Sequence, residues 1–160
     1  MRLDRTDFAI LEALQEEARL SNKELAARVG IAPSTCLERV RRLVRSGAIR
    51  GYRTDVDPAV LGIGLQAMIA VRLLQHARLS FERLMQELIG LPEVVSVYLL
   101  TGAQDLLIHV AVRDVGHLRD MLQRLTSRED VAHVETSLVF EFARAPTMPN
   151  YVGADDRERE

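Results

Sequence analysis

Two helices joined by a turn of three residues constrain this sequence more than any other feature. The segment Ser21-Asn22-Lys23-Glu24 predicts the start of one helix, because the side chains of Ser21 and Glu24 can accept hydrogen bonds from each other's backbone N–H groups. Gly30 then ends that helix, since glycine readily adopts the left-handed conformation of a helix C-terminus. Pro33 begins the next helix at a position where its missing N–H costs nothing. This spacing predicts a helix-turn-helix unit.

One further helix precedes this pair and completes a small predicted core. Asp4 is a good N-cap for it, and Asp7 in its first turn favours the helix dipole. Its apolar residues at helical spacing are Phe8, Ile10, Leu11 and Leu14. The last of the three helices runs to about Ser46, and its predicted inward residues are Cys36, Val40, Leu43 and Val44. Ala32 replaces a hydroxyl-bearing N-cap on that helix, which we therefore expect to depend on packing.

Charge is divided unevenly along the 160 residues, although the whole chain carries a net charge of −2. Residues 1–50 contain ten Lys and Arg against seven Asp and Glu. Six of these arginines lie in residues 28–50, where Glu38 is the one acid. A small basic region attached to an acidic remainder favours binding to a polyanion. The alternative from charge alone is an ordinary solvated helix face.

A different pattern begins after Gly47. Residues 48–53 alternate like a strand or a wing, and the following residues are typical of a turn and linker. The later elements are predicted as strand 65–74, helix 80–90, strand 94–100, strand 105–113, helix 115–127 and strand 132–142. This β-α-β-β-α-β order is that of a ferredoxin-like domain.

The chain is therefore predicted to have an α+β fold with two domains. The predicted parts are a winged helix-turn-helix domain over 1–53, a hinge over 54–64, a ferredoxin-like βαββαβ domain over 65–145 and a flexible tail over 146–160.

The predicted strands are apolar on both faces. Residues 67–71, 94–100 and 106–112 show almost no polar alternation, whereas a sheet with one wet face should alternate. Each aliphatic side chain left in water would forgo roughly 1.5–3 kcal/mol of burial. We therefore expect a second copy to cover this face in a two-fold homodimer. Cover by the N-terminal domain of the same chain is the alternative.

Several short sequence patterns resemble functional motifs but lack the secondary structure or residue spacing that those motifs need. Residues 62–67 resemble a dinucleotide fingerprint, yet they follow a turn and open a strand. The four histidines lack metal-ligand spacing, and His109 is expected as a core or interface residue. Cys36 falls on a buried helix face, as an inert thiol would. An RNA-recognition motif needs aromatic residues on its central strands, which here carry Tyr98 alone.

These observations favour a protein without catalysis, metal or cofactor. The charge at the N-terminus is unlike a signal peptide, and no run reaches the ~18 apolar residues of a membrane span. We therefore expect a cytoplasmic protein.

The exposed face of the third helix carries residues suited to DNA. A recognition helix reads base edges near its N-terminus, and the candidates for this are Ser34, Thr35 and Glu38. The candidates for phosphate contacts are Arg41, Arg42 and Arg45. Asn22 and Lys23 are placed to meet the DNA backbone through the N-terminus of the preceding helix. Arg39 lies at the boundary and can instead brace the helices.

At this point the residues carry a family resemblance. The segments Asp4–Leu11, Pro33–Leu43 and Gly47–Tyr52 resemble the Lrp/AsnC ("feast/famine") family of transcriptional regulators, and the likeness covers about residues 2–145. It implies a winged helix-turn-helix joined by a hinge to a domain that dimerises and often assembles further, commonly to octamers. It also implies small effectors, usually amino acids, bound between dimers around the turn between the second and third strands.

That turn supplies the candidate effector site. The residues that the resemblance assigns to it are Thr101, Gly102, Gln104 and Asp105. An aromatic residue is frequent in the family where Gln104 stands, which leaves an altered pocket and an unused one both open. Read without the resemblance, the segment is a hairpin turn in which glycine supplies backbone freedom.

The sequence therefore predicts a sequence-specific DNA-binding transcriptional regulator, dimeric or larger and modulated by a small effector such as an amino acid. One alternative is a ligand-independent architectural DNA-binding protein. Another, of a different class, is a small-ligand-binding module or enzyme on a ferredoxin-like scaffold, with its N-terminal region used for protein contacts.

Overall fold

The computed structural model describes residues 2–75 and 81–152. These residues form two compact units. One unit contains the residues before Val56 together with those after Phe142, and the other is Val56–Phe142. The predicted tail falls partly in the first unit, where the Met148 N–H donates to Gln15 Oε1 at 2.9 Å, and its last eight residues lie outside the described part.

Three helices build the first unit: α1 (Arg5–Glu16), α2 (Asn22–Val29) and α3 (Pro33–Arg45). The predicted capping box of α2 is confirmed, because Ser21 Oγ accepts from Glu24 N–H and Glu24 Oε2 accepts from Ser21 N–H. Gly30 ends α2 with a φ of 76°, in the left-handed region that favours glycine. The fully buried core residues of this unit are Ile10, Ala13, Leu25, Ala26, Cys36 and Leu43.

For this unit the prediction for Val44 is wrong, and of the strand or wing predicted over residues 48–53 the strand is not formed. Val44 was expected in the core but is 46% exposed, because the buried positions Cys36 and Leu43 are seven apart and Val44 lies about 100° around the helix from Leu43. Residues 48–53 form no strand. Ile49 alone packs against the core, and its N–H donates to the carbonyl of Leu43 at 3.1 Å.

The second unit has the predicted element order. After a short 3₁₀ helix at Pro58–Leu61 come β1 (Leu65–Leu73), α4 (Phe81–Ile89), β2 (Val94–Leu99), β3 (Leu106–Val112), α5 (Val115–Thr126) and β4 (Val131–Val139). The strands form one antiparallel sheet in the order β2-β3-β1-β4. The last strand ends three residues earlier than predicted, because Val139 already pairs with Gln66 near the start of β1. Phe140 therefore lies beyond the paired sheet and is 95% exposed.

Alternation along the central strands separates the two faces of the sheet. In β3 every second residue from Leu106 to Val112 is buried, and the buried residues of β1 follow the same rule. These side chains pack with Leu84 and Leu88 of α4 and Met121 of α5. The helices thus cover one face, and the residues between the buried ones form the open face of the sheet.

The N-cap of α3 yields a testable stability prediction. Ala32 makes no side-chain cap hydrogen bond, whereas Ser21 at the equivalent position of α2 does. We expect Ala32→Ser to raise the free energy of unfolding by about 1 kcal/mol and Ser21→Ala to lower it by a similar amount. Thermal and denaturant unfolding of the two variants measures both effects. Equal, unchanged stabilities would contradict the capping assignment.

Candidate nucleic-acid interface and effector turn

Helix α3 presents one polar stripe that makes no ion pair with any residue the structure describes. Ser34, Glu38, Arg41 and Arg45 recur at positions that align along one side of a helix, and all four are exposed. In the described residues neither Arg41 nor Arg45 has an ion-pair partner. The guanidinium groups of this stripe are accordingly available to an external anion.

A neighbouring stripe of α3 runs through Thr35, Arg39 and Arg42 and turns towards α1. Arg42 Nη2 donates to both carboxylate oxygens of Asp7, at 2.7 and 2.6 Å. Arg39 Nη1 donates to Asp7 Oδ1 at 2.9 Å and to both oxygens of Asp4, at 2.8 and 2.7 Å. Two carboxylates and two guanidinium groups therefore form one neutral cluster, which we call the Asp7 cluster (Asp4, Asp7, Arg39 and Arg42).

Asp7 is the centre of this cluster and is fully buried. Besides the two arginines, its carboxylate accepts the backbone N–H of Asp4 at 3.1 Å. A buried carboxylate is tolerated when it is paired and hydrogen-bonded in this way. At the exposed end, the hydrogen bond from Arg39 holds the pKa of Asp4 below its usual range. Arg39 thus braces the helices, as its boundary position allowed.

The two residues predicted at the N-terminus of α2 have different surroundings. Asn22 Nδ2 donates to the carbonyl oxygen of Pro33 at 2.7 Å and so ties the start of α2 to the start of α3. Lys23 is exposed. Of the DNA candidates, Asn22 and Arg42 are engaged within the chain, and the remaining ones lie on the surface.

The candidate effector turn contains one buried acid and two exposed residues. The Asp105 carboxylate accepts the backbone N–H of Leu73 at 2.8 Å, and its own N–H donates to Val71, so this residue fastens the turn to β1. Thr101 and Gly102 are exposed, and Gly102 has a φ of 116°. A side chain at that position would be strained, which accounts for glycine there.

Gln104 carries the unexpected contact of this turn. Its Nε2 donates to Glu135 Oε2 of β4 at 3.3 Å, whereas its Oε1 is buried and finds no partner among residues 2–75 and 81–152. Glu135 was not singled out from the sequence, because a strand glutamate 31 residues away carries no local signal. A cleft of about 310 Å³ lies at the opposite end of the sheet, lined by Ile63–Gln66, Val139 and Phe140.

The open face of the sheet has a mostly apolar centre, and polar residues such as Gln66, Glu135 and Ser137 lie around it. Its central residues are Met68, Ala70, Tyr98, Leu107, His109 and Ala111. His109 Nε2 lies 2.8 Å from Gln66 Oε1, and burial lowers the pKa of the imidazole. His109 thus lies on the open face with Gln66 as its partner and outside the buried core, and its place in an interface stays a prediction.

Comparison with known proteins places both units in one family. Residues 3–50 match the family model for winged helix-turn-helix DNA-binding domains, and residues 66–147 match that for the Lrp/AsnC ligand-binding domain. The chain belongs to the Lrp/AsnC family. It is a DNA-binding transcriptional regulator with a C-terminal ligand-binding domain, and the predicted α+β architecture is confirmed.

Individual Lrp/AsnC relatives match over most of the chain. The transcriptional regulator AldR of Mycolicibacterium smegmatis is 48% identical over 89% of this chain and 84% of its own. AzlB of Bacillus subtilis is 34% identical over 86% and 88%. A regulator from Neisseria meningitidis, solved in complex with L-methionine, has a TM-score of 0.82 and 35% identity, over 92% of this chain and 97% of its own. These names denote transcriptional regulators rather than enzymes.

Within the described residues, no helix is both long enough and apolar enough to pass through a bilayer.

Proposed function

We propose that this regulator binds an imperfect palindrome as a homodimer and responds to a small effector of the amino-acid class. The observation that carries the DNA-binding assignment is the exposed stripe of α3. It has hydroxyl and carboxylate groups near its N-terminus and, further along, guanidinium groups with no ion-pair partner among residues 2–75 and 81–152. In this proposal Ser34, Thr35 and Glu38 read base edges. Arg41, Arg42 and Arg45 contact phosphates, with Lys23 and Asn22 at the margin of the same surface.

The open face of the sheet supports the homodimer. Leu107 pairs with Ala70 on one side and Tyr98 on the other, so an apolar patch lies at the middle of this face. A second copy packed face to face removes both patches from water. Two-fold pairing would present two recognition helices, and half-sites would then be separated by about one helical turn, ~34 Å, or a multiple of it. Further assembly to octamers is proposed from the family alone.

The turn between β2 and β3 is the proposed effector site. Thr101 and Gly102 offer an exposed hydroxyl and backbone, and Gln104 offers a buried amide oxygen without a partner in the described chain. The L-methionine complex of a relative supports an amino acid as the effector class. Asp105 shapes the turn through its contact with Leu73. As a DNA-binding regulator, the protein is proposed to act in the cytoplasm.

The test is binding to the DNA that flanks its own gene, followed with and without each of the twenty amino acids. An effector must favour one state of the protein to change DNA affinity. Saturation at 100 times Kd should also stabilise the protein by roughly 2.7 kcal/mol, which thermal unfolding detects.

Thr101→Ala should weaken the response to the active amino acid, whereas Thr54→Ala, which removes an exposed hydroxyl from the linker, should not. DNA binding that no amino acid alters, with no thermal shift, would support the ligand-independent architectural alternative.

A further inference from the structure

Ion pairs link α1 to the recognition helix α3 beside the apolar core that both helices share. These two helices contact each other much less than either contacts α2. The Asp7 cluster is placed at this sparse junction, since Asp4 and Asp7 cap α1 and Arg39 and Arg42 project from α3. Four charged side chains therefore act together with the shared apolar core in setting the angle of α3 relative to α1.

Among the described residues, the Arg42 guanidinium group is hydrogen-bonded through one of its three nitrogens. Only its Nη2 is engaged within the described residues, by both oxygens of Asp7. Its side chain is 44% exposed, whereas Asp7 is completely buried beneath it. The guanidinium group is planar, so fixing Nη2 also fixes the direction of Nε and Nη1.

We propose that Asp7 is a positioning residue for DNA recognition: it orients Arg42 towards a phosphate and holds α3 at the angle that base readout requires. This inference rests on the proposed DNA contacts and extends them to a residue that does not touch DNA. An arginine ordered before binding loses less conformational entropy on contact with phosphate. The Asp7 carboxylate thereby lowers the net positive charge of the DNA-binding surface, but it fixes the direction of Arg42.

Specific and non-specific DNA affinity should respond differently to the loss of Asp7, and this difference distinguishes a positioning role from simple charge attraction. Non-specific binding depends on the number of cations that meet phosphates, whereas specific binding also needs α3 in register with the bases. Without the Asp7 charge, Arg42 stays cationic but is no longer held in one orientation by the carboxylate. Non-specific affinity should then hold or rise, and specific affinity should fall.

The experiment compares Asp7→Asn with Glu16→Gln. Glu16 is a matched control because it also pairs with an arginine, Arg28, but joins α1 to α2 instead of α3. Dissociation constants are measured for a duplex enriched from a random pool by the wild-type protein and for a scrambled duplex, over a series of salt concentrations. We expect the ratio of specific to non-specific affinity to fall at least tenfold in Asp7→Asn and to stay within twofold in Glu16→Gln.

A purely structural role predicts a different result. Both affinities would then fall in parallel with the folded fraction seen by circular dichroism, and that outcome, or an unchanged ratio, overturns the proposal. If Asp7→Asn does not fold, Arg42→Lys decides: it keeps the charge but cannot hold Asp7 and a phosphate with one planar group. The ratio of specific to non-specific affinity should be at least tenfold lower in Arg42→Lys than in Arg41→Lys. Equal ratios in the two variants would refute the inference.

A wild-type protein that enriches no duplex overturns the base-readout assignment as well as this proposal. Enrichment with an unchanged ratio in Asp7→Asn overturns the positioning role alone.

Discussion

Removing both Arg41 and Arg45 is expected to reduce the salt dependence of DNA binding more than any other pair of substitutions on α3. Both guanidinium groups are exposed and lack ion-pair partners in the described chain. Two phosphate contacts per subunit become four per dimer, so Arg41→Ala/Arg45→Ala should lower the slope of log affinity against log salt by about 3.6. Fluorescence anisotropy between 50 and 200 mM salt, taken as a rough working range, measures this slope.

The matched control removes the same charge from the other unit. Arg83 and Arg119 lie on α4 and α5, with side chains 84% and 81% exposed. Arg83→Ala/Arg119→Ala should leave the slope unchanged. Equal slopes for the wild type and the α3 variant would remove Arg41 and Arg45 from the DNA interface. Arg42→Ala is a poorer test of phosphate contact, because it also removes two of the hydrogen bonds that the buried Asp7 carboxylate accepts.

A charge at the centre of the open face is expected to convert the dimer to monomers. In the proposed dimer, Leu107→Asp would bury an unpaired carboxylate in each subunit, and each costs several kcal/mol. The dissociation constant should therefore rise about 1,000-fold or more. Sedimentation velocity across a range of protein concentrations measures the shift. Tyr98→Asp on the same face should act in the same direction and starts from a residue that is already 49% exposed.

An exposed apolar residue away from the sheet provides the comparison. Val115 is 70% exposed at the first position of α5, where an acid suits the helix dipole. Val115→Asp should leave the sedimentation profile unchanged. If Leu107→Asp stays folded by circular dichroism and still sediments as the wild type does, the open face is not the dimer interface.

The features that the sequence predicted well are local ones. The N-cap at Asp4, the capping box of α2 and the glycine at position 30 each depend on residues close in sequence, and all three were confirmed. The order of strands and helices was confirmed as well. The alternation that distinguishes the two sheet faces is likewise readable from residues 106–112.

Contacts between distant segments were not predictable in the same way. Asp7 was recognised as a helix-dipole residue, but its arginine partners are 32 and 35 positions away. Gln104 and Glu135 are 31 residues apart and meet only because the turn and β4 converge. Strand ends depend on partners as well. Residues 48–53 have the pattern of a strand, but no described residue pairs with them, and β4 ends at Val139, which pairs with Gln66 next to the first residue of β1.

Cys36 gives this protein an unusual experimental simplicity. It is the one cysteine in the sequence, its side chain is fully buried, and burial raises the pKa of the thiol. Thiolate is the form that oxidants and maleimides attack, so the folded protein should remain inert to both. A cysteine introduced at an exposed position would then be the sole reactive handle, and spectroscopic labels could report on each unit without first replacing a native residue.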